Sequence, residues 1–184
     1  MAMGTFLVAL LMAFPTQTVL TRVKIWIAVP ILMLVVMTGI LADVIGVAVT
    51  VTEERPFHSR SAKKLAGARH ALRLIRNADR VASLCNDAIG DLAGTMSGAM
   101  GAAIVFNLEK IYPDLNEALV GTIMVALISS VTVGGKAVGK MVALRESHMI
   151  TQRLGEVLDW LEDRLGLDIL GEGKKTGPER RDRA

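Results

Sequence analysis

Residues 84–103 read LCNDAIGDLAGTMSGAMGAA, and the fold of the chain turns on this stretch. It lies inside a long apolar run, yet Asn86, Asp87 and Asp91 stand near one end and Gly90, Gly94 and Gly98 recur at every fourth position. On a helix, Asp87 and Asp91 share one face one turn apart, with the glycines close to it. Small residues at this spacing let helix backbones approach closely in lipid. Carboxylates inside a membrane are costly and mark a functional site by default. The stretch therefore reads as a membrane-spanning helix with a polar end.

The rest of the chain supports that reading. Its 184 residues suit one domain, and 52% of them are hydrophobic while only 4% are aromatic. The apolar residues fall in blocks nearly free of charge, with the charges between them, as in membrane proteins. Cys85 is the single cysteine, so there is no intramolecular disulfide and no cysteine-based metal site. His58, His70 and His148 all lie outside the apolar blocks, so no nucleophile–base arrangement is visible and an enzyme is not expected. The glycines sit in apolar helix and not after a strand, which argues against a phosphate-cradling loop.

Taken in order, residues 4–20 form a first apolar segment interrupted by Pro15, at the lower length limit for a span. A signal peptide is the competing reading, but the chain starts without a basic region and shows no clear cleavage site. Residues 25–52 form a second span with Trp26 as an interfacial anchor, Pro30 near its start and Asp43 as its one charge. At 1.5 Å per residue it reaches ~42 Å. Residues 53–80 are basic, with Arg55, Arg60, Lys63, Lys64, Arg69, Arg73, Arg76 and Arg80 set against Glu53, Glu54 and Asp79. By the positive-inside rule this loop is cytoplasmic. Leu65, Ala68, Leu72 and Ile75 recur at helical spacing, which predicts a basic amphipathic helix over 57–80 on the inner membrane surface. Its place between spans and its lack of interleaved aromatics argue against nucleic acid as a partner.

A third span covers 81–108, the short loop 109–117 is net acidic, and a fourth span covers 118–140. Residues 141–170 mix apolar and charged positions and predict a second inner-face amphipathic helix, with Trp160 at headgroup depth. The glycine-bearing, basic tail 171–184 is expected to be disordered. The expected fold is all-α, with three to four spans, the C-terminus cytoplasmic and the chain seated in a bacterial inner membrane.

Counting along the helices puts Asp43 ~13 Å deep, Asn86 and Asp87 ~9 Å deep, and Asp91 ~15 Å deep from the cytoplasmic side. Asp43, Asn86, Asp87 and Asp91 would thus share a layer, with hydroxyls available from Thr95, Ser97, Ser129, Ser130 and Thr132. An oxygen-rich cluster suits a hard cation such as Mg²⁺. The alternative is a structural network in which Lys136 reaches Asp87 and Asn86 cross-links helices. The glycine track likewise serves either a neighbouring helix or a homodimer seam.

The order of these features resembles the transmembrane domain of the cyclin M/CorC (CNNM) family of magnesium transporters, over about residues 25–170. Asn86-Asp87 falls where the family has the Asn-Asn of a Gly-Asn-Asn motif. Asp43-Val44-Ile45-Gly46 falls where it has Ser-Ala-Ser-Glu, and Gly135-Lys136-Ala137-Val138-Gly139-Lys140 where it has Gly-Glu, two apolar residues and Pro-Lys. The resemblance implies a homodimeric membrane domain, without the regulatory CBS pair, handling Mg²⁺ in a cavity open to the cytoplasm. Gly46 and Lys136 replace family glutamates, while Asp43 and Asp87 add acids. The expectation is a membrane protein that binds a divalent cation through Asp43, Asn86, Asp87 and Asp91, with transport as the further step. The alternative is a non-transporting adaptor whose basic elements recruit partners or anionic lipid.

Overall fold

The computed structural model describes residues 25–114 and 116–165. The expected segment 4–20, the end of the 141–170 stretch and the tail 171–184 lie outside the described residues. Six helices follow in order: α1 (Ile25–Val51), α2 (Arg55–Ala62), α3 (Ala68–Arg76), α4 (Ala78–Ile111), α5 (Glu117–Arg145) and α6 (Ser147–Leu165). No strand occurs among the described residues. The fold is all-α, and α1, α4 and α5 are long and apolar enough to cross a membrane.

The helices α1, α4 and α5 pack against one another, with α1 in contact with both of the others along its length. Ala28, Leu32, Val36 and Ile40, spaced four apart on α1, are buried against Met100, Ala103 and Ile104 of α4, with Met124 and Ile128 of α5 packed onto them. Glycines set the close approaches. A Cβ at Gly39 would stand 2.8 Å from that of Ala93, one at Gly139 would stand 2.6 Å from Val44, and one at Gly135 would overlap Ile40. Packing of this kind offsets the ~1 kcal/mol that glycine costs inside a helix. Gly135 and Gly139 thus sit inside α5, which continues to Arg145, past the expected end near residue 140. At its other end Asn116 caps α5, its side chain accepting from the Leu119 amide at 3.2 Å.

At the end of the bundle where α1 stops, the basic stretch departs from expectation. Residues 57–80 are not one amphipathic helix. The chain breaks between α2 and α3, where Lys64 (φ 54°) and Gly67 (φ 69°) turn left-handed and leave Leu65 exposed. The cause is tertiary. The Gly67 amide donates to Asp159 of α6 at 3.2 Å, and a Cβ on Gly155 of α6 would collide with the Gly67 carbonyl. The two glycines let α3 and α6 cross backbone against backbone, so Ala68, His70, Ala71 and Leu74 bury between helices and not in a lipid surface. His70 is clamped there by Asp159 at 3.2 Å and by Glu162. Buried Thr52, just past α1, meets buried Thr151 of α6 hydroxyl to hydroxyl at 2.9 Å, which ties this basic platform to the bundle.

Candidate functional site

Asp43 lies on the buried face of α1, 5% exposed, in a stretch where Gly39 and Gly46 bring the neighbouring helix close. Two lysines one turn apart on α5 converge on it. Lys136 Nζ is 3.9 Å from Oδ1 and Lys140 Nζ is 3.7 Å from Oδ2. These are ion pairs without direct hydrogen bonds, and Asp43 Oδ2 has no hydrogen-bond partner among the described residues. Lys136 also passes over α4 at Gly90, where a Cβ would stand 3.6 Å from its Nζ. The layer thus carries two cations against one buried anion.

Asn86 approaches the same layer from α4. Its amide oxygen is buried without a hydrogen-bond partner and fills the space a Gly46 side chain would take, one turn along α1 from Asp43. The backbone explains its reach. Residues Ser83–Gly90 of α4 are π-helical, set between α-helical segments on either side. Such wide turns are rare and frequent at functional sites.

The remaining expected ligands lie elsewhere. Asp87 is exposed and accepts from the Ser83 hydroxyl at 2.9 Å, and Asp91 is exposed at the start of the α-helical part of α4. Of the four, the structure brings Asp43 and Asn86 to one layer and leaves Asp87 and Asp91 on an outward face with Gly94 and Gly98, whose missing Cβ atoms would meet nothing within 4 Å. Lys136 pairs with Asp43, not with Asp87 as the structural alternative had it. The expected hydroxyl track is used locally: Ser97 donates to Gly94 O at 2.8 Å and Thr132 to Ile128 O at 2.7 Å, both within their own helices. Among the described residues, no group of three or more His, Cys, Asp or Glu side chains gathers where it could hold a metal ion.

Sequence reasoning did not assign Lys140 a role in this layer. The signal was there: Lys136 and Lys140 repeat the four-residue spacing of Gly135 and Gly139, which marks one face of α5. The His70 clamp had no local signal, because Asp159 and Glu162 lie far along the chain.

An all-α fold with three helices long and apolar enough to cross a membrane, two of them joined by a buried carboxylate and two lysines, is the architecture of the described residues. No protein-family model, curated protein or solved structure matches the chain.

Proposed function

We propose that the chain is a non-transporting module of the cell membrane. Its spans α1 and α5 are locked by the Asp43–Lys136–Lys140 network, and α2, α3 and α6 form a basic platform on the cytoplasmic side. One observation carries this reading: Asp43, the one buried carboxylate among the described residues, already faces two ammonium groups, at 3.9 and 3.7 Å. A buried charge needs such compensation, and a divalent cation beside two lysines would be repelled. The orientation rests on the basic residues between α1 and α4.

The second reading, binding and transport of Mg²⁺, is favoured by the unpartnered oxygens of Asp43 and Asn86 in one layer. The donor set does not fit that ion in this arrangement, because the lysines hold Asp43 and two of the expected acids face outward. The outward face of Asp87, Asp91, Gly94 and Gly98 is better matched to the homodimer that the resemblance implies, since intramembrane carboxylates avoid lipid.

Thermal unfolding of purified protein in Mg²⁺, Ca²⁺ and Na⁺ tests the reading. A ligand that binds the native state raises the midpoint once it exceeds its dissociation constant. The module reading expects equal curves at matched ionic strength. A saturable rise specific to Mg²⁺ and lost in Asp43→Asn would establish the cation site instead.

A further inference from the structure

The platform holds a second cluster that the Asp43 network does not use. Where α5 ends, a cavity of about 460 Å³ opens between α2, the end of α5 and the first turns of α6. Each of these three elements sends an arginine to its wall: Arg60, Arg145 and Arg153. The three arginines are exposed, and Arg60 is seated on a buried ring. Phe57 is fully buried, and its ring lies under the Arg60 guanidinium at 5.5 Å and against the His148 ring at 6.0 Å. Gln152 is anchored through its amide nitrogen to Ala66 O at 2.9 Å, and its oxygen faces Arg60 Nη1 at 3.5 Å. Arg60 thus lies over an aromatic face and beside an anchored amide at the cavity wall.

The charges of the wall do not cancel. Glu156 contacts Arg153 at 3.4 Å, and Glu146 is the other acid of the lining. Neither Arg60 nor Arg145 has a carboxylate within ion-pair distance among the described residues. Planar guanidinium forks of this kind match phosphate oxygens in geometry and charge.

What lies next to the cavity identifies the ligand further. Val138, Met141, Val142 and Leu144 stand exposed on the last turns of α5, and Met149 is exposed on the cavity wall itself. A spanning helix with a bare apolar end leads directly into an arginine-lined cavity. This is the profile of a phospholipid, with acyl chains along α5 and its phosphate among the arginines.

We propose that the cavity between Arg60, Arg145 and Arg153 is a binding site for the headgroup of an anionic phospholipid. The inference rests on the membrane-module reading for the depth of the cavity, and not on the role of Asp43.

The test uses the full chain in detergent, titrated with phosphatidylglycerol, with phosphatidylcholine of the same acyl chains, or with inorganic phosphate, and read by thermal unfolding. Phosphatidylglycerol should raise the midpoint well above the level reached with phosphatidylcholine, and phosphate alone should not. Arg60→Gln/Arg145→Gln should lose most of that difference, whereas Arg69→Gln/Arg80→Gln, on the basic surface outside the cavity, should keep it. If the first pair does not accumulate, Arg153→Gln must show a partial loss. Equal responses to the two lipids, equal losses in both double variants, or a matching rise with inorganic phosphate would each overturn the proposal. Flotation with vesicles separates the two levels. A chain that floats with both lipids but prefers neither refutes the headgroup site alone, and a chain that floats with neither refutes the membrane module as well.

Discussion

The amide oxygen of Asn86 occupies the position that a Cβ on Gly46 would fill. The contact joins the π-helical turns of α4 to α1 one turn from Asp43, and it works only while residue 46 has no side chain. Gly46→Ala should push Asn86 away from α1 and cost about 1–3 kcal/mol, the usual range for overpacking. Gly134→Ala meets nothing within 4 Å and should be neutral or stabilise by up to about 1 kcal/mol, as alanine does in a helix. Denaturation of the two variants in one detergent compares them directly, and equal loss in both would refute the close α1–α4 contact.

The platform depends on His70. Its ring is buried between α3 and α6 and faces Asp159 and Glu162 on α6. Replacing it with leucine removes these contacts while keeping the volume. The expected cost is about 1.5–3 kcal/mol, the range of a hydrogen bond to a charged partner. Local opening of this kind appears as faster amide exchange. Exchange should rise in α3 and α6 of His70→Leu and stay unchanged in the cores of α1 and α4. A uniform rise across all helices would show that the platform and the bundle unfold together.

Acid should loosen the hinge between the platform and α1. The Arg76 guanidinium, bonded to Glu54 at 2.6 Å, holds its carboxyl below the ordinary value of 4.5. A depressed acid stabilises the fold above its unfolded value, and that stability is lost as pH falls through the lower folded value. The pair is solvent-exposed, so the effect is small and sensitive to salt. Wild type should therefore be more stable than Arg76→Gln at neutral pH, with the gap closing below pH 4.5. A gap that persists or widens in acid would contradict this.

The sequence made the long apolar helices legible, because uncharged blocks of this length fit few other structures. The expected spans near 25–52, 81–108 and 118–140 correspond to α1, α4 and α5. Where it misled, tertiary contacts overrode local pattern. The helical spacing of Leu65, Ala68, Leu72 and Ile75 was real, but the crossing of Gly67 and Gly155 broke the helix ahead of Ala68. The site was half legible. Depth along a helix could be counted, which put Asp43 and Asn86 in one layer. The direction of Asp87 and Asp91 could not, because a π-helical segment shifts every face that follows it, and nothing in SLCNDAIG announces one.

The central claim is that Asp43 is held by Lys136 and Lys140 as a lock between α1 and α5. A double-mutant cycle on unfolding free energy, with Asp43→Leu, Lys136→Met/Lys140→Met and all three together, tests it most directly. Removing one side of a fully buried pair costs about 3–5 kcal/mol, whereas replacing both sides with apolar groups is often near neutral. Asp43 is buried but the Lys136 and Lys140 side chains are 26% and 53% exposed, so the loss should fall below that range. The account predicts that the combined variant recovers most of the stability lost by Asp43→Leu. Additive losses, or an Asp43→Leu protein as stable as wild type, would contradict it.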